Sequence, residues 1–292
     1  MNELFECHGH LMMDGEDYKT ARLRHTGGVN LSALRENLSA LQRAGVRYFR
    51  DGGDALGVSA AAREIAGDYG IEYATPLFAI HRQGRYGKIV GRGFSDLAEY
   101  RGLVAEAKAN RADFIKLMFS GIITFRAYGE LSCPGLPAEE IRELVRIAHG
   151  EGFSVMAHVN GPETVLAAVE AGTDSIEHGY FMDDACLKAL AESDSIWVPT
   201  VAATAAFIGR DGFDRAVTTE TVERQLACVR RAAEKGAVIA CGSDAGAVGV
   251  PHGAGAKTEY ELLRSAGMSP AQIMAGSEAL RRRFRRIEGG IR

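Results

Sequence analysis

Leu4-Phe5-Glu6-Cys7-His8-Gly9-His10-Leu11-Met12-Met13 reads as an extended, apolar first strand that carries two histidines. In a β-strand, side chains at i and i+2 share a face. His8 and His10 therefore converge on one point, as two metal ligands must. Alone, such a pair is equally well explained by two ordinary polar residues. The rest of the chain decides between these readings.

Outward from this strand, apolar β-branched runs alternate with helical patterns. Seven further strands are expected at 46–50, 71–80, 113–118, 153–159, 173–178, 195–201 and 237–242. Leu31, Leu34, Leu38 and Leu41 recur at helical spacing behind a cap at Asn30 or Ser32, and Gly45 ends that helix. Further helices are expected at 59–69, from Ser95 to 109, from Pro137 to Gly152, and at 162–171. Others run from Asp183 or Asp184 to 192, from Thr218 or Thr219 to 235, and over 257–266 and 269–283. The stretches 14–28, 81–93 and 120–137 read as loops. Eight strands, several apolar on nearly every residue, each followed by a helix, predict a (β/α)8 TIM barrel. An open doubly wound sheet is the alternative, but no Gly-x-Gly-x-x-Gly follows the first strand. With no linker or low-complexity segment, one barrel domain over 1–292 is expected.

The chain of 292 residues is 46% hydrophobic, enough for a sizeable core. Its 34 basic and 38 acidic residues give a net charge of −4, which offers no footprint for nucleic acid or an anionic membrane. The basic run Arg281-Arg282-Arg283 with Arg285 and Arg286 reads as a solvated helix end. Five cysteines without a C-x-x-C argue against a disulfide framework and suit the cytoplasm. Cys7 is expected to face the helices as a small hydrophobe. The first residues carry no signal-peptide pattern.

In such barrels chemistry sits at the C-terminal strand ends. There the chain places His8 and His10, Lys116, His158, His178 and Asp244, on strands one, four, five, six and eight. Each is expensive to bury without a partner. Loop residues His81, Arg126, Tyr128 and His252 are the candidates for substrate contact, while His149 at a helix end serves the dipole.

This order of H-x-H, Lys, His, His and Asp resembles the amidohydrolase superfamily. The local text is similar too, in Arg50-Asp51-Gly52-Gly53, Ile115-Lys116-Leu117, Ala157-His158, the run from Ala171 to Gly179, and Gly242-Ser243-Asp244. The likeness runs from Phe5 to Leu280 and is greatest to the imidazolonepropionase-like branch, which includes dipeptidases acting on Xaa-Pro and related substrates. It implies two divalent ions, zinc foremost, with manganese or iron as alternatives. His8, His10 and Asp244 would hold the more buried ion, and His158 and His178 the more exposed one. Lys116, carrying CO2 as a carbamate, would bridge both together with a hydroxide. Asp244, Lys116 and His178 are then the expected catalytic residues, with Asp244 passing a proton from the hydroxide to the leaving nitrogen.

The implied function is metal-dependent hydrolysis of a C–N bond in a small amide, lactam or dipeptide. Hydrolysis of an ester, lactone or phosphotriester by the same site, and a non-catalytic metal-binding barrel, are the rivals. A mononuclear deaminase-like site would need an acid three residues after a histidine near strand five, whereas Glu163 follows His158 by five. The partner is a small-molecule substrate, and a homo-oligomer is compatible with the sequence. The chain departs from the family in three places. Glu6 stands where an Asp often precedes the histidine pair. About three residues precede strand one, so a barrel without the accessory β-sandwich is expected. His158-Val159-Asn160-Gly161 lacks the tyrosine that some dipeptidases place after strand five.

Overall fold

The computed structural model describes residues 3–285, so Met1, Asn2 and Arg286 of the basic run lie outside the described residues. Its strands are β1 (Leu4–Gly9), β2 (Val46–Asp51), β3 (Glu72–Ala74), β4 (Ala79–Arg82), β5 (Gly91–Phe94), β6 (Ile115–Met118), β7 (Val155–Val159), β8 (Ser175–His178) and β9 (Ile196–Val198). Every strand pairing is parallel. They form two ladders, β1-β2-β3 and β5-β4-β6-β7-β8-β9.

Backbone bonds join the two ladders on both sides. The Asp113 N–H donates to Thr75 O at 2.9 Å, and the Thr75 N–H donates to the Asp113 carboxylate at 2.8 Å, which sets the end of β3 beside the start of β6. On the other side the segment 239–242 lies between β9 and β1. Trp197 bridges Ile239 in parallel. The Cys7 N–H donates to Cys241 O at 2.9 Å and the Asp244 N–H to His8 O at 2.8 Å. This segment is the eighth stave of a (β/α)8 barrel, with β3 and β4 together forming the third.

The third stave was expected as one strand over 71–80, and it breaks in two. Pro76 has no N–H to give a ladder, and Leu77 behind it takes a left-handed φ of 66°. The expected loop over 81–93 ends in β5, which runs beside β4. A Cβ on Gly91 would sit 2.6 Å from Ala79 O, so only glycine permits that approach. Two short helices, Tyr18–Leu23 and Val201–Ala205, occupy stretches read as loop and strand end. They are too short for periodicity to register.

Caps set the other boundaries. Asn30 caps Leu31–Ala44. Asp96, one residue past Ser95, caps Leu97–Ala109. Asp214 starts Arg215–Glu234 before the threonines. Ser269 and Gln272 form a reciprocal capping box on Pro270–Arg283. At that helix's end Arg281 pairs with Glu72 at 2.8 Å. His149, in the last turn of Ala138–Gly150, bonds Asp174 at 2.8 Å.

β6 and β7 are buried on every residue, as parallel strands under helices should be. Ile115, Leu117, Val155, Ala157 and Val159 pack in one large apolar cluster with the helices, while Lys116 and His158 share the opposite face of their strands. Cys7 is wholly buried, in a cluster that includes Leu280 of the helix Pro270–Arg283, and the Ser277 hydroxyl of that helix lies within hydrogen-bond reach of its thiol, so it faces a helix as expected. Among the described residues no helix is long and apolar enough to cross a membrane.

Candidate metal centre

All six ligand-type residues reach one cavity. His8, His10, Lys116, His158, His178 and Asp244 line a pocket of about 310 Å³. The donor atoms of His8, His10 and Asp244 lie within 4.8 Å of one another. The ring of His178 lies 4.9 Å from that of His8 and 4.6 Å from that of His158. Two of the six hold left-handed backbone, His178 at φ 68° and Asp244 at φ 63°. Such residues cost on the order of 1–3 kcal/mol each and persist where the surroundings over-determine them. For His178 the turn matters, because Glu177 before it also points into the site.

Each ring is held by a second contact. His8 Nδ1 lies 2.6 Å from Glu177 Oε2, and His178 Nδ1 lies 2.7 Å from Thr200 Oγ1. His10 Nδ1 faces Gly53 O at 3.4 Å. These contacts leave Nε2 of all three rings free. His158 is turned the other way: its Nε2 meets Gly121 O at 3.2 Å, leaving Nδ1 free. Holding one ring nitrogen fixes which one can ligate.

Burial sets the protonation states. It pushes His10 and His158 down to about 3, with Lys116 as the next cause, and holds His8 and His178 well below the usual histidine range. The imidazoles are therefore neutral, the form that binds metals. The same desolvation lowers Lys116 to about 8 and raises Asp244 to about 6. Lys116 Nζ and Asp244 Oδ1 are both buried without a hydrogen-bond partner among the described residues. Buried orphans of this kind call for an explanation such as a bound ion. An amine and a carboxylate oxygen facing neutral imidazoles fit a divalent-cation site, with Lys116 supplying an anionic ligand only once modified.

Residues that carry no expected role complete the support. Arg50 is fully buried and donates to Glu177 Oε1 at 2.7 Å, Ser175 Oγ at 2.8 Å and Cys7 O at 2.7 Å. Glu6, in place of the frequent Asp, accepts from the Ser243 N–H at 2.7 Å and from its hydroxyl, so it fixes the residue before Asp244. Tyr86 lays its ring 4.9 Å from that of His158, on a pocket wall. Arg50 and Glu177 were visible as charges inside apolar strands, the same signal that marks the histidines.

The four candidates for substrate contact lie elsewhere; none lines the cavity among the described residues. His81 is buried on β4, with Nδ1 3.0 Å from Arg82 O. The Arg126 side chain is 81% exposed and pairs with Glu130. Tyr128 stacks edge-on to Phe181 and lies under Arg224. His252 Nε2 lies 2.9 Å from Met13 O, so it braces a residue that does line the cavity.

A barrel with this constellation at its mouth defines a class, and the chain belongs to it: the Amidohydrolase family matches residues 4–277. Among curated relatives, the ochratoxinase of Aspergillus niger is 25% identical over 96% of this chain. The chain spans 64% of that relative's length. Among solved structures, a Xaa-Pro dipeptidase with bound methionine in its active site aligns with a TM-score of 0.75 at 23% identity, covering 96% of this chain and 75% of that one. The A. niger ochratoxinase structure aligns with a TM-score of 0.75 at 21% identity, covering 98% and 72%.

Proposed function

We propose that this chain is a metal-dependent hydrolase of the C–N bond in a small amide, lactam or dipeptide. One observation carries the reading: four neutral histidines converge with the two buried orphans, Lys116 Nζ and Asp244 Oδ1, in a single cavity. Family membership supports hydrolysis, and the dipeptidase among its structural neighbours supports an amide-type bond.

His8, His10 and Asp244 would hold one ion, and His158 and His178 a second, with the Lys116 carbamate between them. When bound, such ions (zinc, or manganese or iron) lower the pKa of a shared water towards neutrality and polarise the scissile carbonyl. Lys116 reaches its ligating form by N–C bond formation between its neutral amine and CO2, with loss of one proton. Burial favours that neutral amine. Asp244 Oδ1, which has no hydrogen-bond partner among the described residues, takes the proton of the attacking water and returns it to the leaving nitrogen. Glu177 and Thr200 keep the His8 and His178 rings aimed. The partner is a small-molecule substrate, and the unpaired cysteines fit a reducing compartment such as the cytoplasm.

The test is metal content, the mass of Lys116 and turnover in protein prepared with zinc or manganese and bicarbonate. Two ions per chain, a carbamate on Lys116 and faster turnover of an amide than of its matched ester are expected. Absence of bound metal with an unmodified Lys116 would overturn the mechanism, and turnover of the ester alone would reassign the bond.

A further inference from the structure

We infer that the substrate is a small, neutral amide bearing an aromatic or branched apolar group, and not an amide with a free carboxylate beside the scissile nitrogen. This inference rests on the hydrolase reading above and narrows its substrate class.

The cavity's volume of about 310 Å³ falls at the low end of the range for small-molecule sites, about 300–1,000 Å³. Its floor is the polar constellation; its walls are mostly apolar and carry no charged group among the described residues. Tyr86, Ile89, Ile122, Phe125, Phe207 and Phe213 stand over the floor. Three of these rings form one packed cluster. Phe125 lies 5.0 Å from Phe207 and 5.8 Å from Phe213, and those two lie 4.7 Å apart. They come from two loops distant in sequence, one after β6 and one after β9, so their meeting is built by the fold. Phe125 holds a left-handed φ of 54°, a region that bulky residues seldom adopt. Such backbone is retained where the placement of the side chain matters.

The walls also lack a counter-charge. Apart from Lys116 on the floor, no lysine or arginine lines the cavity among the described residues. Arg126 turns out to Glu130, and Arg210 packs on Phe207 outside the lining. The neutral polar groups on the walls include Tyr86 and Tyr180, and the Tyr180 hydroxyl is already bonded to Thr200 at 2.9 Å. Hydroxyls can orient a neutral amide. They cannot offset the desolvation of a carboxylate, which needs a cation or several charge-assisted bonds.

The test uses the metal-loaded full chain and three probes: N-benzoylbenzylamine, its analogue with a carboxylate on the benzylic carbon, and N-acetylglycinamide. A kcat/KM for the first at least tenfold above either other is expected. Ile122 is 44% exposed, so an arginine is tolerated there, and Ile122→Arg is expected to narrow the preference at least tenfold by raising the carboxylate probe. Equal or faster turnover of the carboxylate probe by the unaltered protein would overturn the inference. Calorimetric binding of the same probes separates it from the hydrolase reading. Tighter binding of the neutral aromatic amide without turnover of any probe would sink the hydrolase reading and leave the pocket chemistry standing. Equal binding of all three, or binding of none, would sink the pocket chemistry itself.

Discussion

His8 Nδ1 lies 2.6 Å from Glu177 Oε2, between two side chains that are almost wholly buried. His8 is held well below the usual histidine range by its burial and by Lys116, so the contact is a hydrogen bond from neutral imidazole to carboxylate and not an ion pair. It fixes the tautomer that leaves Nε2 free towards Asp244, whose Oδ1 is 3.7 Å away. A carboxylate behind a ligating histidine typically carries a 10–100-fold share of metal affinity or activity. Glu177→Gln keeps the shape and loses the charge. It is expected to weaken metal binding by roughly that factor, read by chelator competition, with the circular dichroism unchanged. Unaltered affinity would show that the carboxylate does not tune His8.

The negative charge of Glu177 is tolerable only because of Arg50, which also lies 4.3 Å over the Phe284 ring. Removing one partner of a buried pair strands the other, at about 3–5 kcal/mol. Arg50→Met is expected to destabilise the chain by that order in urea denaturation. Adding Glu177→Gln should recover part of the loss, since no stranded charge remains. Arg50→Lys should not substitute, because one ammonium cannot reproduce the fork that reaches Cys7 O, Ser175 and Glu177. A double variant no more stable than Arg50→Met alone would show that the loss is one of packing.

The six candidate ligands were legible because they break a rule. Lys116 and His158 interrupt fully apolar strands, and each such break is costly enough to demand a reason. Strand order followed from alternation alone, so the eight staves were readable even where Pro76 splits one. The same cost argument applies to Arg50 and Glu177, but Arg50 has no ligand chemistry, and Glu177 is the sequence neighbour of His178, which strict alternation would place on the opposite face of the strand. The cavity walls were less legible. Tyr86, Phe125 and Phe207 line the cavity from loops whose paths no periodicity encodes, whereas Arg126 and Tyr128, expected to touch substrate, are not among its lining residues.

His10 depends on the absence of a side chain at Gly52. A Cβ there would lie 2.1 Å from His10 Cε1, 2.7 Å from Nε2 and 2.8 Å from Nδ1. Gly52 is not among the residues with positive φ, so alanine fits the backbone and the ring must yield. Gly52→Ala is therefore expected to weaken metal binding at least about tenfold, as loss of ligand orientation does. The urea midpoint of the metal-free protein should stay close to that of the parent. Metal affinity equal to the parent's would mean that His10 ligates from a different position.

Glu259 is a buried acid away from the constellation, on the helix Ala254–Ser265. Its Oε2 accepts the Ala202 N–H at 2.7 Å, while Oε1 has no hydrogen-bond partner among the described residues. Burial pushes its carboxyl up to about 8 from an ordinary 4.5. With the folded value above the unfolded one, the folded state holds the extra proton between them, so stability falls as pH rises through this window. Below about 4.5 both states are protonated, and above about 8 both have lost the proton, so the loss is confined to that interval. Glu259→Gln keeps the acceptor for Ala202 and removes the titration. The variant should match the parent near pH 5 and exceed it by on the order of a few kcal/mol near pH 8, with urea denaturation at the two pH values as the readout. A difference that does not change with pH would mean that Glu259 is ionised in the fold, with a partner for Oε1 that burial alone does not provide.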